Sequence, residues 1–198
     1  MNLELPEIDQ PVRLRFDRPM TDDELMQFCA NNDPLRIERD SNGELIVMTP
    51  SGSEGGGVDT DVTLELGIWA RRDGRGKVFG ASAGFTLPDG SVRAADSHWV
   101  SWGKWNALTP EDQKRFAPIC PEFVIEVRSE KDRLKPLQEK MQMWLANGAE
   151  LAWLVDPSRK AVEIYRPGRE PEVLEGGSAV EGDGPVAGFV LELARIWG

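Results

Sequence analysis

The sequence predicts an α/β domain in which a mixed central sheet is flanked by helices. Two observations support this fold class. The mostly apolar run PEFVIEVRS, which starts at Pro121, is typical of a central strand. The pattern that follows, Leu134, Leu137, Met141 and Trp144, predicts a helix whose apolar face packs on the sheet. A chain of 198 residues that is 40% hydrophobic can bury one sizeable core, so we expect a single domain over residues 1–198.

The first third of the chain predicts a helix, a β-hairpin and a second helix. Thr21 and Glu24 form the pattern of a capping box, which opens a short helix. The segments LRIERD and ELIVMTP flank Asn42-Gly43, a favoured two-residue turn, and therefore predict a β-hairpin. After the glycine-rich stretch SGSEGGG, the positions of Val58, Val62, Leu66 and Trp69 predict one buried helical face and a helix that runs to about Arg72.

The middle and end of the chain predict further strands. Residues 77–80, 84–87 and 92–101 suit successive strands, with a turn at Pro88-Asp89-Gly90. Thr109-Pro110-Glu111-Asp112 indicates a helix start. The helix that begins near Leu134 should close at Asn147-Gly148. LAWLVD and AVEIYR form a second hairpin, and the glycine-rich tail ends in the amphipathic segment VLELARIW.

Composition restricts the partners and the compartment. A net charge of −11 and a pI near 4.7 weigh against strong DNA affinity, because that affinity comes mainly from lysine and arginine. Bound divalent ions would cancel part of this charge. Cys29 and Cys120 have neither metal-ligand spacing nor disulfide density, so a reducing compartment is expected. No apolar run is long enough to span a bilayer and the first ten residues do not resemble an export signal, which predicts a cytoplasmic protein without a membrane partner.

Two carboxylates are the first candidates for a functional site. Asp96 and Glu126 occur about thirty residues apart on two predicted strands, and Glu126 lies in an otherwise apolar context. A carboxylate within a buried strand must be paired or must coordinate an ion, because an isolated buried charge is very unfavourable. Two such groups at the ends of neighbouring strands would bind Mg²⁺ or Mn²⁺, which prefer oxygen ligands. The chemistry implied is phosphodiester hydrolysis.

The same segments carry a resemblance to a known family. RIERDSNGELIVMTPSGSE, GFTLPDGSVRAADSHWVS, PEFVIEVRSEKDRLKPLQEKMQMWLANGAELAWLVDP and VEIYRPG together resemble the bacterial restriction-endonuclease-like family within the PD-(D/E)XK nuclease superfamily. The match covers a core at about residues 21–169. It implies a divalent-metal-dependent DNA endonuclease in which Asp96 and Glu126 bind the metal and Glu38 is an additional acidic catalytic residue. The sequence departs from the family at Ala95, where proline is usual.

The catalytic cation is the harder assignment. Two residues after Glu126, where the motif has lysine, the sequence has Arg128, which can stabilise phosphate charge but cannot act as a base. The resemblance implies a lysine displaced to the next helix, at Lys140. Helical geometry agrees, because Lys140 borders the apolar face beside Trp144, whereas Lys135 points outward. We therefore assign Lys140 as the catalytic cation and keep Arg128 as the alternative.

Other interpretations stay open. Each charged candidate could form only a structural ion pair. The lone histidine, His98, shares the face of Asp96 and is a weaker candidate for a base or ligand, and Ser53 and Glu54 are weak candidates for the cleft. The acidic pI and Arg128 also suit a catalytically silent, nuclease-like binding or assembly module. RNA or branched DNA would use the same site, and cleavage of both DNA strands would favour a two-fold homodimer.

Overall fold

The computed structural model describes residue 3 and residues 11–197 of the chain. Within this part the α-helices are α1 (Asp22–Asn31), α2 (Ser53–Asp73), α3 (Trp102–Asn106) and α4 (Leu134–Ala146). Short 3₁₀ turns occur at Asp112–Lys114, Pro157–Arg159 and Gly184–Val186. The strands are β1 (Val12–Leu14), β2 (Arg36–Arg39), β3 (Leu45–Met48), β4 (Gly76–Gly80), β5 (Phe85–Thr86), β6 (Val92–Arg93), β7 (Ser97–Ser101), β8 (Phe123–Val127), β9 (Leu151–Asp156), β10 (Ala161–Tyr165), β11 (Glu172–Glu175), β12 (Ala179–Glu181) and β13 (Val190–Glu192).

The predicted mixed sheet is confirmed, and we call it the main sheet. Its strand order is β11-β10-β9-β8-β7-β4, with β8 and β9 parallel and the other neighbours antiparallel. The parallel pair is connected through α4, as expected for a βαβ crossover. The strand that carries Glu126 lies in the interior of this sheet, between β9 and β7, and residues 123–126 of this strand are buried.

Helices cover both faces of the main sheet. Residues of β8 alternate between the two faces: Val124 packs in a buried cluster with Met141 and Trp144 of α4, whereas Ile125 packs in another with Val62 and Leu66 of α2. This alternation follows from the two-residue period of a strand. Glu126 is two residues from Val124 and therefore lies on the face that α4 covers.

A second sheet was not predicted as a separate unit. It has the order β1-β3-β2-β6-β5 and is antiparallel throughout. Its own apolar cluster includes Leu25 and Phe28 of α1 together with Leu45 and Val92. The predicted capping box of α1 is present, because Thr21 and Glu24 each accept a hydrogen bond from the other's backbone N–H. This second sheet carries Glu38 to the end of the main sheet.

The predicted strand at residues 92–101 is wrong as one element. The chain leaves β6 after Arg93 and enters β7 at Ser97, so the two parts belong to different sheets. The interval 94–96 connects them, and Asp96 is its last residue. The carboxylate therefore lies beside the end of a strand, at the junction of the two sheets.

Two other local predictions need correction. The hairpin between β2 and β3 has a three-residue loop at 41–43, because Asp40 and Glu44 form the last backbone pair and Gly43 has a φ of 84°. An aspartate-stabilised turn explains the difference, since Asp40 Oδ1 accepts hydrogen bonds from the N–H groups of Asn42 and Glu44. Helix α2 begins at Ser53, inside the stretch that was predicted to be a glycine-rich loop.

Among the described residues, no helix is both long and apolar enough to cross a membrane.

Candidate active site

Strand register brings the two predicted metal ligands together. In the antiparallel pair of β7 and β8, Ser97 is opposite Ile125, so continuing the register by one residue sets Asp96 opposite Glu126. Residues directly opposite in an antiparallel pair project to the same face of a sheet. The backbone of Val127, the residue after Glu126, also fixes Asp96, because the Val127 N–H donates a hydrogen bond to Asp96 Oδ2 at 2.8 Å. The side chains of Asp96 and Glu126 are both nearly fully buried.

Lys140 of α4 reaches into the same place. Its Nζ lies 2.8 Å from Glu126 Oε1 and 2.9 Å from Glu38 Oε1, and it donates to the carbonyl oxygen of Ala94 at 2.7 Å. The lysine therefore contacts one residue from each of the two sheets and one from the connection between them. Burial disfavours the ammonium, but the Glu126 and Glu38 carboxylates outweigh it and hold the pKa of Lys140 above its ordinary value. The group is a fixed cation and cannot serve as a base near neutral pH.

Glu38 enters the site from the second sheet. Besides Lys140, its carboxylate accepts hydrogen bonds from Arg93 at 2.9 Å and from the Ala94 N–H at 3.3 Å. Burial alone would raise the pKa of this carboxyl, but the Lys140 and Arg93 cations lower it to about 2. Glu38 is therefore ionised throughout the neutral range.

Glu126 has the opposite balance. Burial raises its pKa to about 7, with the Asp96 and Glu38 carboxylates acting in the same direction and Lys140 acting against them. The Glu126 Oε1 atom also accepts a hydrogen bond from the Trp144 indole N–H at 3.3 Å. Buried carboxyl groups whose pKa is displaced by burial and by charged partners are common in functional sites.

Sequence reasoning missed two residues at this site. Arg36 of β2 donates to Asp96 Oδ1 at 3.2 Å, although the two residues are 60 positions apart. Asp59 of α2 lines the same open groove as Asp96, which has a volume of about 910 Å³. Burial and the Asp96 carboxylate raise the pKa of Asp59 to about 7, with Arg36 acting against them. The available signal for Arg36 was its position two residues before Glu38, which gives both side chains the same face of β2.

The other sequence candidates lie elsewhere or have structural partners. Arg128 donates to the buried Asp156 at 2.7 Å and to the Asp132 carbonyl oxygen at 3.0 Å. Within the described part of the chain, it forms no hydrogen bond or ion pair with Asp96 or Glu126. His98 is fully buried, its Nε2 accepts from the Ala95 N–H at 2.7 Å, and burial lowers its pKa to about 3. Ser53 and Glu54 are exposed in the first turn of α2.

The chemistry of the site suits a hard divalent ion. Asp96 and Glu126 provide oxygen donors, and Mg²⁺ is commonly held by one or two carboxylates together with waters and substrate phosphates. Among the described residues, no group of three or more acidic, histidine or cysteine side chains is arranged to hold an ion by itself. Asp96 and Glu126 are the two protein donors that this chemistry would use.

Comparisons with known proteins concern the family and the fold of the chain. A family model described as "Uma2: Putative restriction endonuclease" matches residues 22–194. Among solved structures, the chain is similar to a crystal structure described as "a putative nuclease belonging to DUF820 from Anabaena variabilis ATCC 29413", with a TM-score of 0.74 and 19% sequence identity. The alignment covers 90% of this chain and 98% of that chain, and it supports the fold alone at this identity. A comparison with curated proteins found no match.

Proposed function

Because the chain belongs to the Uma2 family of restriction-endonuclease-like proteins, we propose that it is a divalent-metal-dependent endonuclease that hydrolyses phosphodiester bonds of DNA. The family membership expected from the sequence is confirmed, and the fold is restriction-endonuclease-like. The observation that carries the proposal is the set of contacts around Lys140. One buried ammonium contacts Glu38 and Glu126, while Asp96 lies opposite Glu126 in the extended strand register.

Asp96 and Glu126 would hold Mg²⁺ or Mn²⁺ at the junction of the two sheets. When bound, such an ion polarises a phosphoryl oxygen and lowers the pKa of a coordinated water. Glu126 lies on an interior strand of the main sheet, and Asp96 directly precedes β7 and is held by the Val127 N–H, so both are placed before substrate arrives. Preorganised groups of this kind stabilise a transition state without a reorganisation cost at the moment of reaction.

Lys140 provides a fixed positive charge beside these ligands. Its pKa lies above the ordinary value, so it would donate hydrogen bonds to the attacking water or neutralise charge that develops on the phosphate. Glu38 keeps the ammonium in this position through its 2.9 Å contact. Trp144 covers the site from α4 and donates to Glu126, which limits the orientations available to that carboxylate.

The remaining parts of the proposal concern partners and compartment. Cleavage of both DNA strands would require two sites, which a two-fold homodimer would supply. Cys29 and Cys120 are free thiols, consistent with the cytoplasmic location that the sequence predicts. The net charge of −11 implies that productive DNA binding depends on the divalent ion.

The direct experiment is incubation with plasmid DNA and with oligonucleotides across Mg²⁺ and Mn²⁺ concentrations. We expect the wild type to cut DNA and Glu126→Gln to be inactive. Glu163→Gln is a matched control, because Glu163 is also buried and ion-paired, in its case with Arg159 at 3.0 Å. The partners of Lys140 among the described residues are Glu38, Glu126 and Ala94, so Glu163 is not one of them. Cleavage of RNA or branched DNA alone would change the substrate class. A protein that binds no divalent ion and cuts nothing would instead be a binding or assembly module.

A further inference from the structure

We propose that Arg36 is an exchangeable counter-ion of the site: its guanidinium neutralises Asp96 when no divalent ion is bound, and contacts a substrate phosphate once the ion has displaced it. The inference rests on the proposed nuclease function. It assigns Arg36 two partners in succession, the first in the protein and the second in the substrate.

The geometry leaves one Asp96 oxygen for which a cation can compete. Asp96 Oδ2 is held by the Val127 N–H at 2.8 Å, so Oδ1 is the atom that faces the other charged groups. Arg36 Nη1 donates to that Oδ1 at 3.2 Å. A divalent ion held by Asp96 and Glu126 would compete with the guanidinium for this carboxylate. We therefore expect binding of the ion to make Arg36 withdraw.

The position of Arg36 permits such a withdrawal. Its side chain is 28% exposed, compared with 16% for Lys140, and Lys140 is fixed by two carboxylates and a carbonyl oxygen. Among the described residues, Asp96 is the one acceptor of a hydrogen bond from the Arg36 guanidinium. Of the two cations, Arg36 is therefore the one that can move without leaving several buried groups unpaired.

The charges around the site support the exchange. Arg36 interacts electrostatically with four carboxylates, those of Asp96, Glu126, Glu38 and Asp59. Three cations face this set, since Lys140 and Arg93 also contact its members. With all of these groups ionised and no metal bound, the carboxylates outnumber the cations by one. A divalent ion adds two positive charges, so the loaded site gains attraction for an anion such as a phosphodiester.

Guanidinium chemistry fits the second partner. Arginine presents a planar array of donors that matches phosphate oxygens, and it keeps its charge at all accessible pH values. A phosphate that approaches the ligands Asp96 and Glu126 must also approach the released Arg36, because the guanidinium starts in contact with Asp96. The same residue would thus set the metal concentration needed for loading and contribute to substrate binding.

The experiment separates these two effects by measuring them independently. Isothermal titration of the DNA-free protein with Mn²⁺ should show that Arg36→Gln binds the ion about tenfold more tightly than the wild type, because a competing charge has been removed. Fluorescence anisotropy with a labelled duplex oligonucleotide in Ca²⁺ should show about tenfold weaker DNA binding by the same variant. A merely structural arginine would not give changes of opposite sign.

Arg128→Gln is the matched control, since Arg128 is also paired with a buried aspartate, but that partner is Asp156 and not a residue of the site. It should leave Mn²⁺ affinity unchanged. Unchanged or weaker Mn²⁺ binding by Arg36→Gln would overturn the counter-ion role. Tighter Mn²⁺ binding with unchanged DNA affinity would overturn the phosphate contact. Absence of DNA binding by the wild type itself would count against the proposed function and leave the metal result intact.

A measurement on the wild type covers the case in which Arg36→Gln does not fold. The ¹⁵N signals of the Arg36 guanidinium, assigned in the full-length protein, should shift as Mg²⁺ is added, because the hydrogen bond to Asp96 is lost. The signals of Arg128 should remain in place. An Arg36 guanidinium that is unaffected at saturating Mg²⁺ would contradict the exchange.

Discussion

The ammonium of Lys140 contacts Glu126 at 2.8 Å and Glu38 at 2.9 Å, whereas Arg128 is engaged by Asp156. We therefore expect Lys140→Met to lower the single-turnover cleavage rate by about 10²- to 10³-fold, the effect of losing one preorganised donor. Metal affinity should not fall, because Asp96 and Glu126 remain. Arg128→Met should retain most of its activity when the rate is normalised to folded protein. A larger loss in Arg128→Met than in Lys140→Met would reverse the assignment of the cation.

The buried imidazole of His98 predicts how stability depends on pH. Its pKa is lowered from an ordinary 6.5 to about 3 in the folded protein, so the unfolded chain takes up a proton that the folded one excludes. Stability should therefore fall as the pH decreases below 6.5, by about 1.4 kcal/mol per pH unit while the difference persists. His98 is the one histidine of the chain.

Urea unfolding between pH 7 and pH 4.5 measures this effect. His98→Asn should have a shallower slope of unfolding free energy against pH, even though it lowers stability at pH 7 by removing contacts with Phe85 and Trp144. Equal slopes in both proteins would show that other groups account for the acid sensitivity.

At the scale of single residues, burial was the signal that sequence alone could provide. A carboxylate at Glu126 within an apolar strand pointed to a site, and the helical wheel placed Lys140 at the rim of an apolar face. The structure places both of them together with Asp96 and Glu38. Arg36 and Asp59 were missed because each interacts with Asp96 across a long sequence separation. The two-residue period indicates that Arg36 shares a face with Glu38, but it does not indicate that Arg36 reaches Asp96.

Among the elements, α2 shows how a glycine count misleads. Gly55, Gly56 and Gly57 favour a loop by propensity, yet they form part of the first two turns of a helix of 21 residues. Packing of Val62 and Leu66 on the main sheet compensates for the weak helix formers at this end.

This conflict gives a test of stability. Gly57→Ala should raise the free energy of unfolding by about 0.5–1 kcal/mol, because a Cβ there meets nothing within 4 Å and alanine favours the helix. Gly76→Ala, in β4, is the matching substitution for which we expect the opposite sign. Its Cβ would lie 2.4 Å from the Trp99 ring, and we expect a loss of about 1–3 kcal/mol. Chemical denaturation of both variants checks the signs, and a destabilised Gly57→Ala would contradict this description of α2.

The break between β6 and β7 is the other element that sequence reasoning could not place. Residues 92–101 have the composition of one strand, and the hydrogen-bond partners that divide them belong to strands distant in sequence. Arg39 pairs with Val92, whereas Ser97 pairs with Ile125 and Gly80. The division therefore depends on tertiary pairing, and it determines where Asp96 projects.

For the molecule as a whole, the net charge of −11 predicts an unusual mode of DNA binding. Each neutralised phosphate contributes about 0.9 to the slope of log affinity against log salt concentration. Because 34 acidic residues outnumber 23 lysines and arginines, we expect a slope well below that of proteins making about 6 to 10 phosphate contacts. Affinity should also rise steeply with Ca²⁺. Anisotropy titrations over a range of KCl concentrations measure this slope. A steep slope without divalent ions would contradict the prediction, because it would require a basic DNA-binding surface.

The fold class could be predicted from the sequence, but the division of the strands into two sheets could not. Long apolar runs identified the interior strands of the main sheet and the packing of α4. The second sheet consists of strands of two to four residues, and so short a strand gives little alternation to read. The second sheet is defined by strand pairing, since β2 pairs with both β3 and β6.

The bond from Lys140 to Glu38 links α4 on the main sheet to the second sheet. If the second sheet separates under mild denaturing conditions, the ammonium loses one carboxylate and Glu38 loses its place, while the interior of the main sheet can stay intact. Enzymatic turnover would then disappear at lower urea concentrations than the β-sheet signal in circular dichroism. Activity would thus report whether the two sheets are packed together, because the site is complete only when both are in place.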